Sequence, residues 1–557
     1  MTDSSRLRQM TRHMTRTEMI VTAVAIFVVA LVARAYFAAQ IVFPKPEDTA
    51  YYVGVARNLL EGRGLVSDAL WSYQTPPLVF PRPAFEVWLP LPTFLAAIPM
   101  ALFGTTFAAA QVSSVIVGAL VPVLTWRLAL DVAEERKVSV ERARWIGIGA
   151  GLTTAAYLPM LLSSALPDST MPFAVVVLGA CLLMTRLVRD PRGAALTDPR
   201  LIALGILFGL GALTRNETVW LALIWAAMAW FSVHRPATER LRLIGVVAVV
   251  AAAVFAPWAY RNLLVLGSPL PGQAVTNALY LSGFDIFAWN DPPTLARHLA
   301  IGPAALIELR IAGLAHNLFN VLVLLGIPVS VIGLVALPWQ GRGLALRALL
   351  AISLIMFFVT SLLFPAATQW GTFLHAAAPV HVLIVVSAIL ALDAGLARLG
   401  RRMQWTNPIA WLGTAVGLGS SLLFSLALLP QFGGGSHGTQ DLYTELGARM
   451  AAIGRPLDAT AGPVITNFPI WMAETQRIPS LALPDEPPVD VLDLAHTFPG
   501  THLMILIQAE GKHWPDDLDA GLPGSECFQP VDLGPPTAGS AGQDILKDVL
   551  VYEIVCP

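Results

Sequence analysis

The stretch "FEVWLPLPTFLAAIPMALFG", residues 85–104, is long and apolar enough to pass for a membrane span, and the topology of the whole chain turns on whether it is one. A spanning helix needs about 20 apolar residues. This stretch has the length, but Pro90, Pro92 and Pro99 interrupt it, and each proline breaks or kinks a helix. The flanking charges decide the matter. Further apolar runs fall near 107–130, 145–166, 170–188, 201–214, 216–233, 242–262, 314–337, 345–364, 373–397 and 407–430. Basic clusters stand at Arg127/Arg136/Lys137/Arg142/Arg144, Arg186/Arg189/Arg192/Arg200, Arg235/Arg240/Arg242, Arg342/Arg347 and Arg398/Arg401/Arg402, at every second junction. That alternation is what the positive-inside rule requires. If 85–104 crossed the membrane, all of these clusters would lie outside. We therefore read it as an interfacial or re-entrant helix on the outer side.

The N-terminal residues 1–18 carry Arg6, Arg8, Arg12 and Arg16 ahead of an apolar run from Ile20 to Phe43. That run is too long for a signal-peptide core and no small-residue cleavage site follows it, so it reads as an uncleaved first span, 19–43, with a cytoplasmic N-terminus. The chain of 557 residues is 55% hydrophobic and 13% charged, against about 25% charged in soluble proteins. The expected fold class is a mainly α, polytopic plasma-membrane protein of about eleven transmembrane helices, with its C-terminus outside. The net charge of −2 gives no global signal for nucleic acid.

Beyond the membrane region at 19–430, residues 431–557 change character. They open with "QFGGGSHG", which reads as a flexible linker. A helical stretch near 440–453 follows, with strand-like runs "PVITNF", "SLAL", "THLMILIQ" and "DVLVYEIV". The expectation is a small extracytoplasmic α/β domain. It shows no Gly-rich phosphate loop and no nucleophile motif, which favours a structural or accessory role. Of three cysteines, Cys181 lies in an apolar run and reads as packing, while Cys527 and Cys556 in the tail are compatible with a disulfide if the tail is outside.

This topology places the loops 44–106 and 263–313, the junctions 163–172, 213–218 and 364–379, and the tail on one side of the membrane. The candidate chemistry gathers there. In "KPEDTAYYVGVARNLLEGRGL", 45–65, Glu47 and Asp48 precede an amphipathic helix with Tyr52, Val55, Ala56 and Leu59 on one face and Arg57, Asn58 and Glu61 on the other. Its tyrosines, Tyr51 and Tyr52, suit the membrane interface. Read alone, Asp48 is a helix cap, and so is Asp168 in "LPDST". Arg215 and Glu217 in "LTRNETVW" are either a local salt bridge or a pair facing a cavity, since ionisable groups at bilayer depth cost a few kcal/mol. Arg261 at an outer span end either snorkels or contacts a phosphate. His375 and Gln369 lie in "TQWGTFLHAAAP"; His381, six residues on, makes no helical histidine pair for a metal. "Asn216-Glu217-Thr218" matches a glycosylation sequon only formally.

The ordered set of blocks "YYVGVARNLLEGRGL", "RPAFEVWLPLP", "GALTRNETVWLAL", "APWAYRNLLVLGSPLPG" and "GTFLHAAAPVHVLIVVSAILALDAGL" resembles the GT-C superfamily of membrane glycosyltransferases. Within it, the chain is most similar to the branch of protein mannosyltransferases and aminoarabinose transferases. The resemblance covers roughly 20–400, with a tail domain similar in type. It implies a hexosyl- or pentosyltransferase that moves a sugar from a polyprenyl-phosphate carrier in the bilayer to a glycan, lipid or protein acceptor. It also implies a catalytic acidic residue in the first outer loop, which falls on Glu47/Asp48. The pair reads Glu-Asp here, where many relatives have Asp-Glu or Asp-Asp, and Asp48 is the preferred base. Asp168 and Glu47 are then supporting carboxylates that orient the acceptor or hold a divalent ion; Asp48 and Asp168 would suit Mg2+ or Mn2+. Arg57, Arg82, Arg215, Arg261 and His375 are candidates for the phosphate, Arg261 ranked first. The competing readings are a flippase for a lipid-linked sugar and a non-catalytic relative. Transporters usually show paired halves, and these halves do not resemble each other.

Overall fold

The apolar runs fold as helices for the reason the composition gives: in lipid, backbone N–H and C=O groups must pair within the segment. The computed structural model describes residues 14–189, 198–272, 274–405, 409–458, 461–508, 511–536 and 544–556; Arg6, Arg8, Arg12 and Arg192 lie outside them. Among the described residues, eight helices are long and apolar enough to span: Arg16–Ala38, Phe107–Glu135, Thr170–Arg189, Ala237–Leu266, Gly302–Gly326, Leu344–Leu363, Ala378–Arg402 and Leu412–Ala452. Val140–Ala156 and Leu158–Ser164, bent by 55° between them, make a ninth when taken as one span. The bend falls where Pro159 has no N–H to offer the preceding turn.

Among the described residues, all eleven expected runs contain helix, but they are not equal. Pro199–Ala212 and Thr218–Ser232 have only 14 and 15 residues, because the polar turn between them cuts the apolar run short. The run expected at 314–337 is divided. One helix passes through π and 3-10 turns to Gly326, and Val329–Gln340 starts afresh after Pro328. The stretch that decided the topology forms a helix of 13 residues, Leu91–Phe103, with Pro99 inside it. It packs through Ala96, Ala97 and Met100 on Val53 and Ala56 of the outer helix and on Ala109 and Ala110.

The glycine-rich stretch 431–438 is no linker. It lies inside one continuous helix of 41 residues, Leu412–Ala452. The small residues serve a close approach: Gly433 packs beside the Gln40 backbone, and Ser436 Oγ accepts the N–H groups of Val42 and Phe43 at 3.0 and 2.9 Å.

The sheet also crosses the expected boundary at 430. Its strands are β2 (Ala69–Leu70), β4 (Val464–Thr466), β5 (Ser480–Ala482), β6 (Leu503–Leu506), β7 (Phe528–Pro530) and β8 (Leu550–Ile554), in the order β2-β5-β4-β6-β8-β7. The four strands from β2 to β6 are parallel, and β8 pairs antiparallel with both β6 and β7. The edge strand β2 comes from the first outer loop, where β1 (Val66–Ser67) and β3 (Arg82–Pro83) form a small ladder of their own. One apolar core joins that loop to the tail through Tyr51, Trp71, Tyr443, Ile465, Leu481 and Met504. A disulfide joins Cys527 to Cys556, with Cα atoms 5.1 Å apart.

The helix Val329–Gln340 lies so close to Ala378–Arg402 that a Cβ on Gly333 would meet the Ile384 carbonyl oxygen at 2.1 Å. Overpacking of this kind typically costs about 1–3 kcal/mol. Gly333→Ala is therefore expected to lower the melting temperature of the protein in detergent. Gly395→Ala, on the same Ala378–Arg402 helix with nothing within 4 Å, is expected to leave it unchanged or raise it.

Candidate active site

The helix Glu47–Leu60 begins at Pro46, which occupies the N-cap and makes no side-chain capping bond. The cap reading of Asp48 is thus not what the structure shows. Glu47 and Asp48 occupy the first turn itself, where the helix dipole favours negative charge. Adjacent positions on a helix of 3.6 residues per turn point about 100° apart, and the two carboxylates part accordingly. Glu47 Oε1 accepts the N–H groups of Ile470 and Trp471, at 2.9 and 3.3 Å, in the first turn of the helix Pro469–Gln476. Burial, opposed by those two N–H groups and reinforced by Asp48, pushes the Glu47 carboxyl up to about 8.

Asp48 turns the other way. Its Oδ1 accepts the Thr49 N–H at 3.0 Å and its Oδ2 lies 2.9 Å from His375 Nε2. The opposite edge of that imidazole, Nδ1, lies 3.2 Å from Asp168 Oδ2 and 3.2 Å from Thr170 Oγ1. Asp168 is anchored in turn, its Oδ1 accepting the Thr170 N–H at 2.7 Å, so it serves the start of the Thr170–Arg189 helix as the sequence suggested. His375 reaches this place from the short helix Thr372–Ala376, which follows Gly371 at φ 119°, a backbone conformation that side chains disfavour.

Ionised carboxylates only accept hydrogen bonds. A ring flanked by two of them therefore carries a proton on each nitrogen. Burial alone would lower the His375 pKa, but the charge of Asp48 and the bonds to Asp168 and Asp48 outweigh it and raise it to about 10. For Asp48, burial would raise the pKa, and the charges of His375 and Arg215 hold it below its ordinary value.

Arg215 completes the constellation. It pairs with Glu217 at 2.6 Å and donates to Ser169 Oγ at 3.0 Å and to the Thr372 carbonyl at 3.2 Å. Its Nε is buried and has no protein partner among the described residues. Tyr52, 1% exposed, has its phenol pKa raised by burial and by Asp48, and it bonds Ser169. Asp48, Glu47, Tyr52, Arg215, Glu217 and His375 all line one cavity of about 520 Å3.

The other predicted residues lie elsewhere. Arg57 pairs with Glu474 at 2.5 Å, and Arg82 pairs with Glu86 at 3.3 Å while donating to the Ser72 and Thr75 carbonyls. Tyr51 donates to Glu86 at 3.2 Å and accepts the Phe85 N–H at 2.7 Å. Arg261 donates to the Ala84 carbonyl at 2.9 Å and stacks over Trp258 at 4.9 Å. Gln369 reaches only the Pro365 carbonyl, at 3.5 Å. None of these five lines the cavity; Arg57, Arg82, Tyr51 and Arg261 instead hold the first outer loop in shape. Sequence reasoning passed over Trp71, Trp88, Trp220, Trp370 and Trp471, together with Asn277 and Tyr280, all of which line the cavity. The available signal was positional, since all five tryptophans fall in outer segments or at span ends.

These features define a class: a multi-pass membrane protein whose helical bundle carries, at one end, a cavity walled by its own outer loops and α/β region. The particulars come from comparison. No protein-family model matches the chain, and no curated protein matches it in sequence. Solved structures do match. ArnT from Cupriavidus metallidurans bound to undecaprenyl phosphate aligns with a TM-score of 0.51 at 14% identity, over 97% of this chain and 99% of that one. The archaeal oligosaccharyltransferase AglB from Archaeoglobus fulgidus, in complex with an inhibitory peptide and a dolichol-phosphate, aligns with a TM-score of 0.51 at 13% identity, over 88% and 69%. The Archaeoglobus fulgidus oligosaccharyltransferase in complex with Zn and sulfate gives 0.52 at 15%, over 86% and 67%. At such identities the likeness is one of fold: the chain shares the fold of the ArnT and AglB structures.

The site makes a prediction about pH. On folding, the His375 pKa rises from 6.5 to about 10. Its contribution to stability is complete below pH 6.5 and is lost as pH rises toward about 10. The Asp48 contribution, from a lowered pKa, is present above its ordinary value of 3.8 and is lost only as pH falls through the depressed one. Melting curves in detergent are expected to show a smaller loss of stability between pH 6.5 and 10 in His375→Gln than in the wild type. Parallel curves would show that His375 carries no raised pKa.

Proposed function

We propose that this protein is a membrane glycosyltransferase that moves a hexosyl or pentosyl group from a polyprenyl-phosphate carrier to an acceptor hydroxyl outside the cytoplasm. In this reading the chain sits in the plasma membrane with the N-terminus cytoplasmic and the cavity and the tail 431–557 outside. One observation carries the reading: a carboxylate, Asp48, and a guanidinium, Arg215, face a single cavity and are fixed by the same short segment, through His375 and the Thr372 carbonyl. The fold supports it, because the solved ArnT and AglB structures hold undecaprenyl phosphate and a dolichol-phosphate.

The chemistry needs three things. The donor is held by its tail in the bilayer, so its sugar reacts at the bundle end, where aromatic residues such as Trp88 and Trp220 offer amphipathic surface. The Asp48 oxygens keep lone pairs beyond those spent on Thr49 and His375, and one of these accepts the proton of the acceptor hydroxyl. The acceptor oxygen, as it loses that proton to Asp48, forms its bond to the anomeric carbon from the face opposite the phosphate. The carbon–oxygen bond to the phosphate breaks, its electron pair leaves with polyprenyl phosphate, and the configuration inverts. Arg215, whose Nε has no protein partner among the described residues, stabilises the departing phosphate.

In proteoliposomes supplied with a labelled polyprenyl-phosphate sugar and an acceptor, Asp48→Asn is expected to reduce transfer by about 10²–10⁴-fold while the protein melts as a folded one. Undiminished transfer removes Asp48 from the reaction. Arg215→Gln is expected to lower transfer by about 10²-fold or more, as loss of a charge-stabilising donor does, whereas Arg261→Gln leaves the chemical step in place. Label that moves between leaflets without appearing on the acceptor would instead identify a lipid-sugar flippase.

A further inference from the structure

The row Asp48–His375–Asp168 also bears on whether the site takes a divalent cation. Outer-loop carboxylates suit such an ion, and one solved structure of this fold holds Zn. The residues present do not fit one. A shared Mg2+ holds oxygen ligands at about 2.1 Å, which brings two carboxylate oxygens within about 4.2 Å of each other. Here Asp48 Oδ2 and Asp168 Oδ2 stand on opposite edges of one imidazole, at 2.9 and 3.2 Å from its two nitrogens. The ring fills the place an ion would take.

His375 is not available as a ligand in this arrangement either. A metal binds neutral imidazole through a free nitrogen lone pair. A lone pair on either nitrogen of His375 would point at a carboxylate oxygen that also offers only lone pairs. The Thr170 hydroxyl beside Nδ1 does not relieve this, because Asp168 Oδ2 lies at the same 3.2 Å. The nearby acids are spent as well: Glu47 on the N–H groups of Ile470 and Trp471, Glu217 on Arg215. Among the described residues no three His, Cys, Asp or Glu side chains converge as a metal site.

We infer that the His375 imidazolium is itself the cation of this site: it joins Asp48 to Asp168 in the place of a divalent metal, and transfer proceeds without one. The last clause rests on the glycosyltransferase reading; the first does not. His375 is a positioning residue. It fixes one oxygen of Asp48 against the anchored Asp168 and leaves the remaining lone pairs toward the cavity.

The test uses the full-length protein in nanodiscs, stripped with a chelator. One arm titrates Mn2+ alone, read by its paramagnetic resonance, without donor or acceptor. The expected result is no stoichiometric binding; one ion bound per chain, lost in Asp168→Asn, overturns the inference. A second arm measures transfer of labelled sugar before and after chelation and with Mg2+ or Mn2+ restored. Unchanged transfer supports the inference, and loss reversed by either metal overturns it. If no label is transferred under any condition, the glycosyltransferase reading fails while the Mn2+ arm still decides who holds the carboxylates. A third arm is His375→Gln, neutral but still able to bond Asp48. The expected result is a fall of about 10²-fold in kcat with the donor KM little changed, as when a charged orienting group is lost. Wild-type kcat in His375→Gln overturns the role, and should that variant not fold, the two wild-type arms still settle the metal.

Discussion

A charged imidazole held between two carboxylates is the contact on which the cavity end of this molecule depends. Its three members come from the first outer loop, from the entry to the Thr170–Arg189 helix and from the turn before Ala378–Arg402. Charges of this kind are expensive to bury. The idealised penalty of about 20 kcal/mol per ion, several kcal/mol after relaxation, is offset only when pairing is close and the remaining hydrogen-bonding capacity is used. Here it is used: His375 spends both nitrogens, Asp168 its second oxygen on the Thr170 N–H, and Asp48 its second on the Thr49 N–H. Removing His375 would leave two buried carboxylates without their shared cation, and removing either carboxylate would leave the imidazolium with a single partner. The row therefore specifies how the three segments meet as well as stabilising them.

The second constraint is the divergence of Glu47 and Asp48. Adjacent on the first turn of a helix, they serve different partners, and the structure uses both. Asp48 faces the cavity, while Glu47 holds the first turn of Pro469–Gln476 against the same helix, helped by Trp471 Nε1 donating to the Pro44 carbonyl at 3.0 Å and by the Arg57–Glu474 pair. Because Phe468, Ile470 and Trp471 line the cavity, the α/β region is a wall of the site. Its contribution is shape and aromatic surface, which leave no sequence motif.

Much of this was legible because membrane topology is written in single residues. The alternation of basic clusters put Asp48, Asp168, Arg215 and His375 on one face, and the structure brings those four together. The charges could not say which arginine turns inward. Arg261 is drawn off by the Ala84 carbonyl and the Trp258 ring, and Arg82 by Glu86 and two carbonyls. These are long-range contacts with loop backbone, invisible to local patterning. The same limit explains the glycine-rich stretch at 431–438. Composition read it as a flexible linker, yet packing against Gln40, Val42 and Phe43 makes it helical, tertiary context overriding intrinsic propensity. Strand β2, two residues long, had no periodicity to detect.

The turn 213–218 shows how these constraints combine. The short helices Pro199–Ala212 and Thr218–Ser232 bring Arg215 to the cavity, where Ser169, Glu217 and the Thr372 carbonyl hold it from three directions. Ser169 neighbours Asp168, and Thr372 lies three residues before His375. The groups that fix the guanidinium thus belong to the same segments that fix the carboxylate. A displacement of either segment would move Asp48 and Arg215 together, preserving their separation. Catalysis by positioned charge depends on that separation being set before substrate arrives. In the proposed reaction, an arginine from any other segment of this face would reach the donor phosphate on an independent loop, with its distance to Asp48 left to the flexibility between them. Shared segments, more than proximity to the acid, single out Arg215 from the other arginines of this face.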